Sequence, residues 1–203
     1  NGGDGDDTFF IDNASDTVVE AALATSGAQD TIILLNNTTN INLAVMAPNV
    51  ENVTGGFGTS GRTLTGTAGN NVLTDFGGAG NFLQGGAGND TYQFFTFDAT
   101  DTAIDSGGTD SLLAVLNNYT GTPTFSGIEH LTFDVANGSS TLTGSAITGA
   151  LSLRITDVPA KTLTLHSMPV FAQGVTIANY SGVINYNNAS LGDVAFTLDA
   201  VNV

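Results

Sequence analysis

The nine residues Gly85-Gly86-Ala87-Gly88-Asn89-Asp90-Thr91-Tyr92-Gln93 constrain the fold of this chain more than any other stretch. They fit the pattern G-G-x-G-x-D-x-U-x, where U is a large apolar residue, with Asp90 at the acidic position and Tyr92 at the apolar one. Gly2 to Phe10 is a second copy, with Asp7 and Phe9 in the same places. Glycines at these spacings permit a tight turn with positive φ and turn backbone carbonyls inward. The Asp adds a hard carboxylate oxygen, and the apolar residue opens a very short strand whose side chain packs inside. Stacked turns of this kind make an all-oxygen cage, a donor set that suits calcium better than zinc or copper.

Each copy heads a longer unit. The first runs from Gly2 through Asp16-Thr17-Val18-Val19-Glu20 and Gln29-Asp30-Thr31-Ile32 to Asn49-Val50-Glu51-Asn52-Val53-Thr54 and Thr63-Leu64-Thr65-Gly66. The second runs from Gly85 through Asp101-Thr102-Ala103-Ile104-Asp105 and Thr109-Asp110-Ser111-Leu112 to Gly127-Ile128-Glu129-His130-Leu131-Thr132 and Thr141-Leu142-Thr143-Gly144. Five landmarks recur in the same order at a period of about eighty residues, which marks a repeat architecture. On these segments the chain resembles the RTX (repeats-in-toxin) family, the calcium-binding parallel β-roll proteins that bacteria export. Its longer unit is similar to the extended RTX repeat, in which the nonapeptide continues into D-T-V-x-E, G-x-D-T and N-V-E-N-L segments. Within that family it looks most like surface-layer or adhesin proteins.

Between the units, residues 66–93 read as consecutive turns. Gly66 to Thr74 is a degenerate nonapeptide with Asn71 at the acidic position, and Gly77 to Gln84 is one residue short and lacks the Asp. Alternate turns of a β-roll face the same side, so the turns at Gly66 and Gly85 are expected to stack and share a calcium. The turn before Phe82 faces the other side and is expected to be metal-free or capped by packing. From about residue 140 short apolar alternations take over, at Leu151–Ile155, Thr162–Leu165, Gly174–Ile177, Gly182–Tyr186 and Val194–Leu198. Period-two alternation between Gly, Asn and Pro reads as strands. The predicted fold is all-β: a parallel β-roll or β-solenoid over residues 1–140, with extended repeats at about 1–65 and 85–144. Residues 141–203 form a C-terminal part that continues as a solenoid or becomes a sandwich. A helical turn is plausible only at Thr17–Ala24.

The first candidate calcium ligands are Asp7 and Asp90, joined by Gly85 and Ala87 of the intact turn and by Asn71. Asp4 and Asp6 flank the Gly5 turn and either ligate or are solvated. Asp16 with Glu20, and Asp101 with Asp105, lie four residues apart after each nonapeptide, with Asp30 and Asp110 downstream. The resemblance implies that some of these acids extend a calcium array; turn capping by Asp is the alternative. Glu51 and Glu129 are expected to bond between adjacent rungs. Asp75, Asp98, Asp134, Asp157, Asp193 and Asp199 read as loop residues.

Composition narrows the partners. Nineteen Asp and Glu stand against three Lys and Arg, a formal charge of −16, which argues against nucleic acid or anionic lipid and for cations. The hydrophobic share of 41% and twelve Phe set the chain apart from disordered acidic segments. Without cysteine there is no disulfide, zinc-thiolate site or thiol nucleophile, so calcium is the expected staple of a secreted chain. The chain begins mid-motif at Asn1, as a portion of something longer would. Its two histidines, His130 and His166, sit in strand-like settings, and neither G-x-S-x-G nor H-E-x-x-H occurs, so no enzyme is expected. The expected role is a calcium-dependent structural module of a secreted bacterial cell-surface protein, folding and self-associating in extracellular calcium. An adhesin segment, or the calcium module of a secreted protease or lipase, is the alternative.

Overall fold

Alternation of Thr, Ser and Asn with Leu, Ile, Val and Phe puts one face of each short strand in water and the other in a core. In the computed structural model, which describes residues 1–13, 15–20, 29–36, 40–56, 58, 61–156, 161–178, 182–187 and 196–198, this alternation gives twenty strands. In chain order they are β1 (Thr8–Ile11), β2 (Thr31–Leu34), β3 (Ile41–Asn42), β4 (Asn52–Thr54), β5 (Thr63–Thr65), β6 (Val72–Asp75), β7 (Phe82–Gln84), β8 (Thr91–Phe97), β9 (Thr102–Ile104) and β10 (Ser111–Asn117). They continue as β11 (Thr120–Gly121), β12 (Thr124–Ser126), β13 (His130–Asn137), β14 (Ser140–Thr143), β15 (Ile147–Thr148), β16 (Ser152–Thr156), β17 (Thr162–His166), β18 (Val175–Ala178), β19 (Val183–Asn187) and β20 (Phe196–Leu198). One sheet takes ten strands in the order β1-β2-β4-β6-β8-β10-β13-β16-β18-β20. A second takes β15-β12-β9-β7-β5-β3, and a third takes β11-β14-β17-β19.

The strand pairings are parallel, and from β2 onward successive strands in the chain visit different sheets, so the chain coils as a β-solenoid. Strands of the ten-stranded sheet begin at residues 52, 72, 91, 111 and 130, so one circuit takes about 20 residues. The sequence period of about eighty is therefore four circuits. Equivalent positions of the two long units return to the same edge, about 19 Å apart at the usual spacing between strands. The ten-stranded sheet passes residue 140 without a break, through β13 and β16. The C-terminal strands thus extend the solenoid, and no separate sandwich forms among the described residues.

The core is a set of columns. The apolar position of each nonapeptide heads one of them: Phe9, Ile32, Val53, Leu73, Tyr92, Leu112, Leu131 and Leu153 lie in register along the ten-stranded sheet. The facing column is Ile41, Leu64, Leu83, Ala103, Phe125 and Ile147. Each fully buried Leu, Ile or Phe contributes about 1.5–3 kcal/mol. In the ten-stranded sheet β8, β10 and β13 lengthen to seven or eight residues, and the wider interior there is filled by rings. Phe97 lies 5.0 Å from Tyr119 and 5.3 Å from Phe125. Close stacking of turns explains the motif's second glycine: Gly86 has φ +119°, and a Cβ there would lie 2.2 Å from the Thr67 carbonyl oxygen.

Among the described residues helix is confined to one turn, α1 (Leu43–Met46), and a 3-10 turn at Gly144–Ala146. The expected helical turn is not formed over Thr17–Glu20, and the remainder of that stretch lies outside the described residues. Among the described residues no helix is long and apolar enough to cross a membrane.

Candidate metal centre

One residue before β1, β2, β4, β6, β8, β10 and β13 stand Asp7, Asp30, Glu51, Asn71, Asp90, Asp110 and Glu129. Parallel pairing stacks them on one edge of the solenoid as a ladder. The Asp7 N–H donates to Asp30 Oδ1 at 2.7 Å, and the Asp30 N–H to Glu51 Oε2 at 2.9 Å. The Asn71 N–H donates to Asp90 Oδ1 at 2.6 Å, the Asp90 N–H to Asp110 Oδ1 at 2.7 Å, and the Asp110 N–H to Glu129 Oε2 at 2.9 Å. Each of these acids therefore holds the amide of the turn before it. Glu51 and Asn71 are joined differently, by the Asn71 Nδ2 donating to the Glu51 carbonyl at 2.8 Å. The ladder ends where Leu151 takes the equivalent place before β16.

At two places a third acid joins the ladder. Asp90, Asp105 and Asp110, all buried, bring carboxylate oxygens within 4.8 Å of one another. Asp7, Glu20 and Asp30 do the same, with Asp30 buried and the other two half-buried. The two triads correspond residue for residue in the two long units: Asp7 with Asp90, Glu20 with Asp105, Asp30 with Asp110.

The second triad carries the stronger electrostatic stress. Asp90 Oδ2 and Asp110 Oδ2 are buried without a hydrogen-bond partner. Burial pushes the Asp90 carboxyl up to about 7; the Asn71 N–H opposes this, and Asp105 and Asp110 add to it. Burial likewise lifts Asp110 to about 6, against the Asp90 N–H and with Asp105 and Glu129 adding. Asp105 accepts the Gly107 N–H on Oδ1 at 2.7 Å and the Tyr92 hydroxyl on Oδ2 at 2.5 Å. Orphaned carboxylate oxygens cost free energy when buried and charged. An oxygen-seeking divalent cation answers both defects at once, and nitrogen and sulfur donors are absent from the cluster. The chemistry of the donor set fits calcium.

The remaining candidates fall outside the two triads. Asp4 is exposed; Asp6, also exposed, accepts the Gln29 N–H at 2.8 Å. Asp16 Oδ2 caps a turn by accepting the N–H of Asp12 and of Asn13, each at 3.1 Å. Asn71 spends its Oδ1 on the Thr67 N–H at 2.7 Å. Ala87 bridges to Gly107, and the Gly85 N–H donates to the Tyr92 hydroxyl at 2.6 Å. Asp101 lies on the opposite edge, where its Oδ1 accepts the Asn81 N–H at 2.8 Å and its Oδ2 the Asp98 N–H at 2.8 Å. The turns at Gly66 and Gly85 do stack, through the Asn89 N–H to Asn70 Oδ1 at 2.8 Å. The acids, however, cluster between the Gly85 turn and the next one, Asp105–Asp110. That turn is hard to read because Asp and Ser replace its first two glycines; Gly108 and Asp110, twenty positions after Gly88 and Asp90, mark it.

The opposite edge holds a polar core that no motif announces. Asp75, expected in a loop, ends β6 fully buried, with Oδ1 3.9 Å from Nε of the equally buried Arg62. Gly55 leaves room beside the pair: a Cβ there would lie 3.0 Å from Arg62 Nη1 and 3.2 Å from the Thr74 carbonyl oxygen. Asn81 Nδ2 bridges Asp75 Oδ2 at 3.2 Å and Asp101 Oδ1 at 3.1 Å, and Arg62 Nη2 donates to the Gly56 carbonyl at 2.8 Å. Burial lifts Asp75 to about 7, with Arg62 opposing and Asp101 adding. Burial also lifts Asp101 to about 6, against its bonds from Asn81 and Asp98. Asp134 lies within β13, not in a loop, while Asp98 caps Thr100. Asp157, Asp193 and Asp199 lie outside the described residues.

Comparison with protein-family models, with curated proteins and with solved structures finds no match to this chain. The class that fold and site define is thus a parallel β-solenoid bearing two repeated acidic clusters on one edge.

Proposed function

We propose that this chain is a calcium-dependent structural module of RTX type, belonging to an exported bacterial cell-surface protein that assembles outside the cell. One observation carries the reading. The same three acids converge twice, four circuits apart, and the second set leaves two carboxylate oxygens buried and unpartnered. Proton-transfer catalysis would need one such site beside a substrate cleft; a repeated site along an edge suits a staple.

The mechanism is linkage between binding and folding. Calcium would supply positive charge to oxygens that the folded chain brings together. Asp90, Asp105 and Asp110 are not held together in the unfolded chain, so binding stabilises the folded solenoid. The ladder sets the geometry, because Asp30, Asp90 and Asp110 each have Oδ1 fixed on an amide of the turn before. Affinities of roughly 10⁻⁴–10⁻³ M, as at extracellular sites, would keep the chain unfolded inside a cell and folded outside. Sixteen of the nineteen acids, against Arg62 alone, precede residue 140, so cation binding would relieve repulsion where it is concentrated. Exposed Phe10, Leu35 and Phe95 on or beside the ten-stranded sheet give apolar surface for contact between copies once that charge is reduced.

The test is a far-UV circular dichroism titration with calcium, starting from chelator-treated protein, with magnesium as the control. A cooperative rise in β signal with calcium alone is expected. A chain fully folded in chelator, with no stabilisation by calcium, refutes the proposal.

A further inference from the structure

We propose that Tyr92 is a positioning residue for the second acidic cluster: its hydroxyl sets Asp105 for cation binding, a task that the first cluster meets with a longer side chain. The inference rests on the calcium reading above. Tyr92 stands at the apolar position of its nonapeptide and is fully buried in the core column of the ten-stranded sheet. Its hydroxyl crosses the interior to the far end of the turn. It accepts the Gly85 N–H at 2.6 Å and donates to Asp105 Oδ2 at 2.5 Å, with the Ile104 carbonyl oxygen 3.2 Å away. The Gly107 N–H holds the other Asp105 oxygen at 2.7 Å. Both carboxylate oxygens of Asp105 are thereby oriented before any cation arrives, and the donated proton offsets repulsion from Asp90 and Asp110.

The first unit provides an internal comparison. Phe9 occupies the place of Tyr92, so no hydroxyl is available, and Glu20 occupies the place of Asp105. The third acid there is longer by one methylene. Tyr pairs with Asp in one cluster and Phe with Glu in the other. If the Tyr92 hydroxyl only satisfied the Gly85 N–H, as buried tyrosines commonly satisfy a backbone group, the identity of the third acid would not need to change with it. A hydroxyl that reaches out to a short carboxylate, exchanged for a carboxylate that reaches in, accounts for both pairs.

The experiment is calcium titration calorimetry on the full chain, comparing the parent with Tyr92→Phe, Asp105→Glu and the double variant, with far-UV circular dichroism at saturating calcium as the check on folding. Loss of a partner that orients a metal ligand typically weakens affinity 10–100-fold, and Tyr92→Phe is expected to weaken one of two sites by about that much. The double variant, which copies the Phe and Glu of the first unit, is expected to regain most of the loss, whereas Asp105→Glu beside an intact Tyr92 is not expected to bind better than the parent. Tyr92→Phe binding at both sites as tightly as the parent, or a double variant no better than Tyr92→Phe, overturns the inference and leaves the calcium reading standing. A parent that binds no calcium overturns the calcium reading itself. Should Tyr92→Phe alone not fold, the double variant against Asp105→Glu decides: tighter binding once the hydroxyl is removed from beside the longer acid supports the inference, and equal affinities refute it.

Discussion

Replacing Asp90 by Asn separates the ladder from the charge. Asn keeps an Oδ1 to accept the Asn71 N–H, now held at 2.6 Å, and removes one of three buried negative charges. Lifting a carboxyl from 3.8 to about 7 corresponds to roughly 4 kcal/mol against its charged form. That figure is an upper bound for the variant, because Asp105 and Asp110 also relax when their neighbour is neutral. In chelator at pH 8, Asp90→Asn is therefore expected to be more stable than the parent, by about 2–4 kcal/mol. In calcium the order of gains reverses. A ligand at one hundred times its dissociation constant stabilises the parent by about 2.7 kcal/mol, and the variant, with one charged ligand fewer, gains less. Circular dichroism reads both effects, in chelator as the folded fraction, which the variant should raise above the parent's, and in calcium as the urea midpoint. A variant no more stable than the parent in chelator would refute the argument that this charge is a burden. Equal calcium gains in the two proteins would refute its role as a ligand.

The metal-free protein has a pH dependence of the opposite sense to most acid-rich folds. Asp75, Asp90, Asp101 and Asp110 have folded-state values raised to about 6–7, so their contribution is fully present below about pH 4 and lost as pH rises to about 7. The folded fraction in chelator should fall across that window, from acid pH to neutral, and a flat or rising profile would contradict it. On the opposite edge, Arg62→Met leaves Asp75 buried without its cation, and breaking such a pair is expected to cost about 3–5 kcal/mol. Adding Asp75→Asn should recover much of that loss in the same unfolding assay; a double variant as unstable as Arg62→Met would mean that packing, not charge, is what Arg62 supplies.

The turns at Gly2 and Gly85 were legible because glycine spacing encodes backbone geometry, and geometry fixes where Asp7 and Asp90 stand. Asp30 and Asp110 were legible through repetition, as were Glu20 and Asp105. Asp16 and Asp101 share that repetition, yet each only caps amides, Asp16 its own turn and Asp101 the opposite edge. Three residues separate Asp101 from Asp105, and the short strand β9 that they form carries the chain from one edge to the other. Linear spacing alone does not reveal that crossing. Arg62 and Asp75 were not legible at all. They lie thirteen positions apart on different strands' flanks and meet only through the coiling of the chain, a feature of three-dimensional packing with no local pattern of its own.

The acid ladder has a direction. Asp30 holds the amide of Asp7, Asp110 that of Asp90, and Glu129 that of Asp110, so each grip reaches back along the chain. A polypeptide emerging amino end first always offers a finished edge to the segment that follows. Each new acid finds its amide already in place, and growth becomes templated addition, one circuit onto the last.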